Sequence, residues 1–181
     1  MKSIILGRDG VINHYSETHI NSVEEWKPIK GSLEAIARLN HAGYHVAIAT
    51  NQPGIGEQAF DVLTLDAIHS VMHQALAKLG AHVDIIAFCP HTEDQQCNCR
   101  KPLPGLLTEI ASRWGTTLSN SPVIGDGRED LEAGVAAGAI PVLVRTGKGD
   151  QTLSNLSGIG KEVSIYENLS QAVDALLTSG I

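Results

Sequence analysis

The chain has 181 residues, 43% of them apolar and 18% charged, with a formal net charge of −7. This is an ordinary composition for a soluble domain with its own core, and the negative balance argues against nucleic acid or an anionic membrane as the main partner. The longest apolar run, near 133–144, is interrupted by Pro141 and is too short to span a bilayer.

Ser3 to Leu6 reads as a buried strand followed by Gly7-Arg8-Asp9-Gly10. Its Ile4-Ile5-Leu6 core is too short for a secretory leader, so a cytoplasmic protein is expected. Asn13 to Trp26 fits neither helix nor strand. Ser32 to His41 predicts a helix with Leu33, Ile36, Ala37 and Leu39 on one face and Gly43 as its stop. Val46 to Ala49 predicts a strand running into Thr50-Asn51-Gln52, Leu63 to Leu79 a long helix, and Ile85 to Phe88 a strand running into Cys89-Pro90-His91. Cys89 to Pro102 is again irregular. A helix follows from Pro104 to Trp114, with proline in its first turn. Val123-Ile124 predicts a strand leading to Gly125-Asp126, then a helix from Asp130 to Ala137, a strand from Pro141 to Val144, a last strand over Glu162–Tyr166 and a helix from Leu169 to Leu177.

Strands alternating with helices imply right-handed crossovers, hence a three-layer Rossmann-like α/β sandwich with a mostly parallel sheet. One domain over 1–181 is expected, with a loop inserted at 89–99. Ligands on such sheets bind beyond the carboxyl ends of the strands, and the chemically rich residues follow strands throughout.

All three cysteines fall between positions 89 and 99, which suits a metal site better than a disulfide framework. Cys89, His91, Cys97 and Cys99 offer three thiolates and one imidazole. Zinc takes four such ligands in a closed tetrahedron, and a filled set leaves no place for water, so the zinc is expected to be structural. The segment has little apolar content to fold it, so the metal would supply its order and position Arg100 and Lys101, two cations suited to phosphate.

Asp9 and Asp126 each follow a strand and suit Mg²⁺, which binds through few carboxylates together with water and substrate phosphate. Asp130 is equally well explained as a charge at a helix N-terminus. Thr50 and Asn51 offer a hydroxyl, an amide and backbone N–H groups to a phosphate oxygen. His14 and His19 are placed near the mouth of the site, whereas His41, His45, His69, His73 and His82 fit helix surfaces and loop edges.

Together these residues resemble the haloacid-dehalogenase superfamily, and within it the zinc-containing heptose bisphosphate and histidinol-phosphate phosphatases. The likeness rests on Ile4 to Asn13, Thr50 to Gly54, Cys89 to Lys101, Lys101 to Gly105, and Ile124-Gly125-Asp126. It implies a minimally capped phosphoric monoester hydrolase acting on a small phosphorylated sugar, or on histidinol phosphate, as a monomer with catalytic Mg²⁺ and structural Zn²⁺. It further implies general acid and base catalysis by Asp9, phosphate binding by Thr50, Asn51, Gln52, Arg100 and Lys101, and Mg²⁺ held by Asp126 and the Asp9 carbonyl.

Three positions depart from the pattern. Gly127 stands where the heptose enzymes often carry lysine, and 54–60 lacks their arginine. At the third, Gly7 stands where the family keeps its aspartate nucleophile. Glycine cannot form an aspartyl-phosphate, and the replacement also removes a magnesium carboxylate. The sequence therefore leaves three explanations open: a natural homologue that binds a sugar phosphate without turnover, a phosphatase whose nucleophile was removed by design, or a phosphatase whose sequence carries an error at this position.

Overall fold

The computed structural model describes residues 1–179. Among them, β1 (Ser3–Leu6), β2 (His45–Asn51), β3 (Ile85–Cys89), β4 (Pro122–Gly125), β5 (Ile140–Val144) and β6 (Ser164–Tyr166) form a six-stranded sheet in the order β3-β2-β1-β4-β5-β6. Each pairing is parallel, so the sheet is wholly rather than mostly parallel. The order reverses at β1, which lies between β2 and β4. A crevice opens at such a reversal.

Period-two alternation sends successive strand residues to opposite faces. Ile4, Leu6, Val46, Ile48, Ile124, Val142 and Val144 pack under α1 (Ser32–His41), α3 (Val62–Ala77) and α7 (Leu169–Ser179). Ile5, Ala47, Ala49, Ala87 and Val123 pack under α4 (Gly105–Trp114) and α5 (Arg128–Ala136). The small alanines of β2 and β3 admit Leu106, Leu107 and Ile110 close to the sheet. Burying each large aliphatic side chain contributes about 1.5–3 kcal/mol, which fixes the layers and therefore the strand ends.

The structure shifts several expected boundaries. α3 begins at Val62 because Asp61 Oδ1 accepts the Thr64 N–H at 2.8 Å, and it ends at Ala77, where the chain turns through Gly80. α4 begins at Gly105, with Pro104 one residue outside it. α5 begins at Arg128 rather than Asp130, since the Asp130 carboxylate accepts the Gly127 N–H at 3.0 Å and so sits inside the first turn. α1 packs on α7 and α3 as well as on β2, so its buried stripe is Ser32, Ala35, Ile36 and Leu39, with Leu33 and Ala37 on the flanks. β6 is only three residues and starts after Glu162. Two short helices, α2 (Pro53–Gly56) and α6 (Gly149–Leu153), carry no hydrophobic period and were not expected.

The irregular segment after β1 is tied down at Ile20 and Trp26, both in the larger core. Tyr15, Ser16, Glu17 and His19 are thereby held over the crevice. Among the described residues, this loop is the cap.

Candidate active site and metal loop

The four strand-end groups meet. Gly7, Arg8 and Asp9 after β1, Thr50, Asn51 and Gln52 at β2, Arg100 and Lys101 beyond β3, and Asp126 after β4 line one cleft of about 220 Å³. His19 lines it as well, whereas His14 is exposed and stands outside it.

Asp9 is held on three sides. Arg8 donates to Oδ1 from Nε at 3.1 Å and from Nη2 at 2.9 Å. Asn13 Nδ2 donates to Oδ1 at 2.8 Å, and Gln52 Nε2 to Oδ2 at 2.9 Å. Burial works against its charge, but Arg8, Asn13 and Gln52 outweigh burial and hold the carboxyl below the usual carboxylate range. Gln52, 2% exposed, gives its other amide hydrogen to Thr50 Oγ1 at 2.9 Å, so its amide fixes the Asp9 carboxylate and the Thr50 hydroxyl relative to one another.

The Asn51 amide reads the backbone of Lys101 in both directions, donating from Nδ2 to the carbonyl at 3.1 Å and accepting the N–H at Oδ1 at 3.0 Å. Lys101 Nζ forms an ion pair with Asp130 Oδ1 and donates to Ala49 O at 2.8 Å, with both side chains 7% exposed. Asp130 is therefore both a helix-terminal acceptor and the partner of Lys101. Arg100 Nη1 donates to His91 O at 3.2 Å.

Asp126 accepts the Lys148 N–H at Oδ2, 2.8 Å away. Burial, then the neighbouring Asp130, push its carboxyl up to about 7. Gly10 and Gly147, at φ +77° and +59°, bring their Cα atoms so close that a Cβ on either would fall about 2 Å from Asp126 Oδ2. Carbonyl, carboxylate and phosphate oxygens are the donors Mg²⁺ prefers, so the residues present fit that ion.

Gly7 keeps an ordinary backbone. A Cβ built there meets Val11 Cγ2 at 3.1 Å and otherwise only Ile124 O and Gly125 Cα beyond 3.6 Å. The position accepts a side chain once Val11 gives by a few tenths of an ångström.

Sequence reasoning missed four residues at or behind this wall. Tyr15, Glu129 and Lys148 line the cleft. Lys148 Nζ donates to Glu129 Oε1 at 2.5 Å and stands 5.5 Å from the centre of the Tyr15 ring. That pairing outweighs burial for both groups, lowering the Glu129 carboxyl and raising the Lys148 ammonium. None of the three belongs to a spaced motif, so no sequence signal marks them. The fourth is His69. It was expected on a helix surface but is buried on α3 with Nε2 3.2 Å from Arg8 Nη1. Its place on the α3 face with Leu65, Ile68 and Met72 was the available signal.

Beside the cleft, donor atoms of Cys89, His91, Cys97 and Cys99 all lie within 4.8 Å of one another. Cys89 Sγ is 3.5 Å from His91 Nδ1, 3.6 Å from Cys97 Sγ and 3.2 Å from Cys99 Sγ, and His91 Nδ1 is 3.3 Å from Cys99 Sγ. A tetrahedron with bonds of about 2.3 Å to sulfur and about 2.0 Å to nitrogen puts its ligands about 3.5–3.8 Å apart, so the cluster is compatible with zinc. The Arg100 N–H lies 3.3 Å from Cys97 Sγ, which ties the loop to the cleft cations.

Comparison with known proteins agrees with this geometry. A family model described as HAD-hyrolase-like matches residues 98–172. The D-glycero-beta-D-manno-heptose-1,7-bisphosphate 7-phosphatase of Bordetella bronchiseptica is 46% identical over 177 residues, covering 98% of each chain. The protein of that name from Pseudomonas putida is 45% identical over 177 residues, covering 98% of this chain and 100% of the relative. A crystal structure of D,D-heptose 1,7-bisphosphate phosphatase from B. bronchiseptica, complexed with magnesium and phosphate, matches with a TM-score of 0.95 at 46% identity over 98% of both chains. No described helix is long and apolar enough to cross a membrane. The chain belongs to the haloacid-dehalogenase-like phosphatases, in the family of the heptose 1,7-bisphosphate phosphatases.

Proposed function

We propose that the cleft takes D-glycero-D-manno-heptose 1,7-bisphosphate as a phosphatase substrate, and that Gly7 limits turnover in this sequence. The observation that carries this reading is the convergence of Thr50, Arg100, Lys101 and Asp9 on one small cleft headed by Gly7. Relatives 44–46% identical over nearly the whole chain bear the name of that phosphatase.

In this reading Thr50, Arg100 and Lys101 bind the transferring phosphate, and Asn51 and Gln52 set their positions. The Asp126 carboxylate and the Asp9 main-chain carbonyl would hold Mg²⁺. When bound, that ion supplies positive charge to the phosphoryl oxygens. With an aspartate at position 7, Asp9 would give a proton to the leaving oxygen as the phospho-enzyme forms and take one from water as it is hydrolysed. With glycine there no covalent phospho-enzyme forms, so water must attack directly, Asp9 takes its proton as base, and the leaving oxygen draws its proton from solvent. The Cys89, His91, Cys97 and Cys99 set holds a structural zinc that keeps Arg100 and Lys101 at the cleft. Residues 1–181 act as one domain, monomeric and cytoplasmic, and sedimentation at the monomer mass is the expected result.

The test is phosphate release from heptose 1,7-bisphosphate, with histidinol phosphate in parallel, by the chain and by Gly7→Asp. A gain of at least about 10³-fold is expected, the scale on which removed nucleophiles act. No gain with any of these substrates sinks the reading. A second reading, a binder without turnover, is favoured by the intact phosphate cradle around Gly7. It expects calorimetric affinity for the bisphosphate with no measurable hydrolysis by either form.

A further inference from the structure

Arg8 is the one arginine whose side chain, among the described residues, is wholly buried beside the cleft, at 0% exposure. By strand alternation it shares a face with Ile4 and Leu6, beneath α3, whereas Gly7 and Asp9 belong to the other face. Its guanidinium reaches back around the strand end. Nε and Nη2 are given to the Asp9 carboxylate, and Nη1 points to His69 Nε2 at 3.2 Å. A buried guanidinium has five N–H groups in a fixed plane, so a partner on one edge decides where the other edge lies. His69 is 8% exposed and is carried by a sixteen-residue helix packed into the larger core. Burial, with Arg8 beside it, brings its pKa down to about 3, so the neutral ring presents a lone pair to the arginine.

We propose that His69 is a positioning residue: it anchors the far edge of Arg8, and through Arg8 it sets the Asp9 carboxylate for proton transfer. The path runs from α3 to Arg8 to Asp9 without His69 touching substrate. Removing its acceptor leaves a buried cationic N–H without a partner. The guanidinium then turns towards cleft water and takes the carboxylate with it. A misplacement of about 1 Å at a reacting group can cost about 10²-fold in rate. Asn51 and Lys101 make no contact with this path and Thr50 meets it only through Gln52, which also holds Thr50, so substrate binding should change far less than turnover.

The proposal rests on the phosphatase reading, and its experiment separates the two. In the Gly7→Asp background, His69→Leu is expected to lower kcat by about 10–100-fold with KM unchanged. His69→Gln, whose amide oxygen reaches the place of Nε2, recovers kcat to within a few-fold, and His69→Asn, one methylene too short, does not. Equal kcat across the four forms overturns the proposal, as does a loss shared equally by Gln and Leu or a change confined to KM. The second readout needs no turnover. In the ¹⁵N-labelled chain with Gly7 retained, Arg8 is expected to show slowly exchanging guanidinium signals that persist in His69→Gln and vanish in His69→Asn. Signals unchanged in His69→Asn overturn the proposal even if Gly7→Asp is inactive, an outcome that would separately defeat the phosphatase reading.

Discussion

The metal loop and the cleft beside it both hold polar groups at fixed distances, by opposite means. The loop takes four donors from eleven consecutive residues, with Cys97 and Cys99 only partly buried. The cleft takes most of its groups from the ends of strands far apart in sequence, which rest on the aliphatic layers below, and takes Arg100 and Lys101 from the end of the loop. Order in the first case rests on four donors that an ion could gather, and in the second it is inherited from the core. The two should therefore fail differently.

The largest expected effect is in the cleft. Lys101→Met leaves Asp130 buried without its cation, which costs about 3–5 kcal/mol. Urea unfolding should show a lower midpoint for the whole chain. A midpoint shift under about 1 kcal/mol would mean that water reaches the pair and that the cleft is not core-ordered.

Acid should act on the cleft next. His69 titrates at about 6.5 when unfolded and about 3 when folded, so the unfolded chain binds more protons between these values. The contribution is complete above pH 6.5 and is lost as pH falls towards 3, to the extent of a few kcal/mol. His69→Gln should flatten that limb of the stability curve. An unchanged slope would place the acid sensitivity elsewhere.

Chelation should act on the loop and on the two cleft cations at its end. With the metal removed, amide exchange is expected to rise from Cys89 to Leu103 while β1, β2 and α3 keep their protection. Loss of protection throughout the sheet would erase the contrast between the two regions. The smallest effect belongs to neither. Arg38 pairs with Asp174 between α1 and α7, both largely exposed. Arg38→Ala should change stability by less than about 1 kcal/mol, read from the same urea curves.

The contrast also explains what the sequence made legible. Every strand is placed within a few residues, since buried runs such as Ile4-Ile5-Leu6 and Val142-Leu143-Val144 carry their own signal. The loop is legible because its ligands are local and chemically unusual. Asp9 and Asp126 are legible because they follow strands, and Lys101 because it follows the cysteine cluster. His69, Glu129, Lys148 and Tyr15 are not, because their meaning depends on which elements become neighbours. Lys148 reaches Glu129 only because β4 and β5 are paired, and His69 reaches Arg8 only because α3 lies over β1. α2 and α6 were missed for a simpler reason: helices of four and five residues are too short to show a period.

The ordinary backbone at Gly7 bears on history as well as on chemistry. Gly10 and Gly147 are locked in place, because any side chain there would collide with Asp126. Position 7 carries no such lock, since only Val11 must yield. Two of the four glycine codons become aspartate codons by a single base change. On the phosphatase reading proposed above, one substitution here separates a chain with a nucleophile from one without, and Val11 is the one side chain that must shift to admit it.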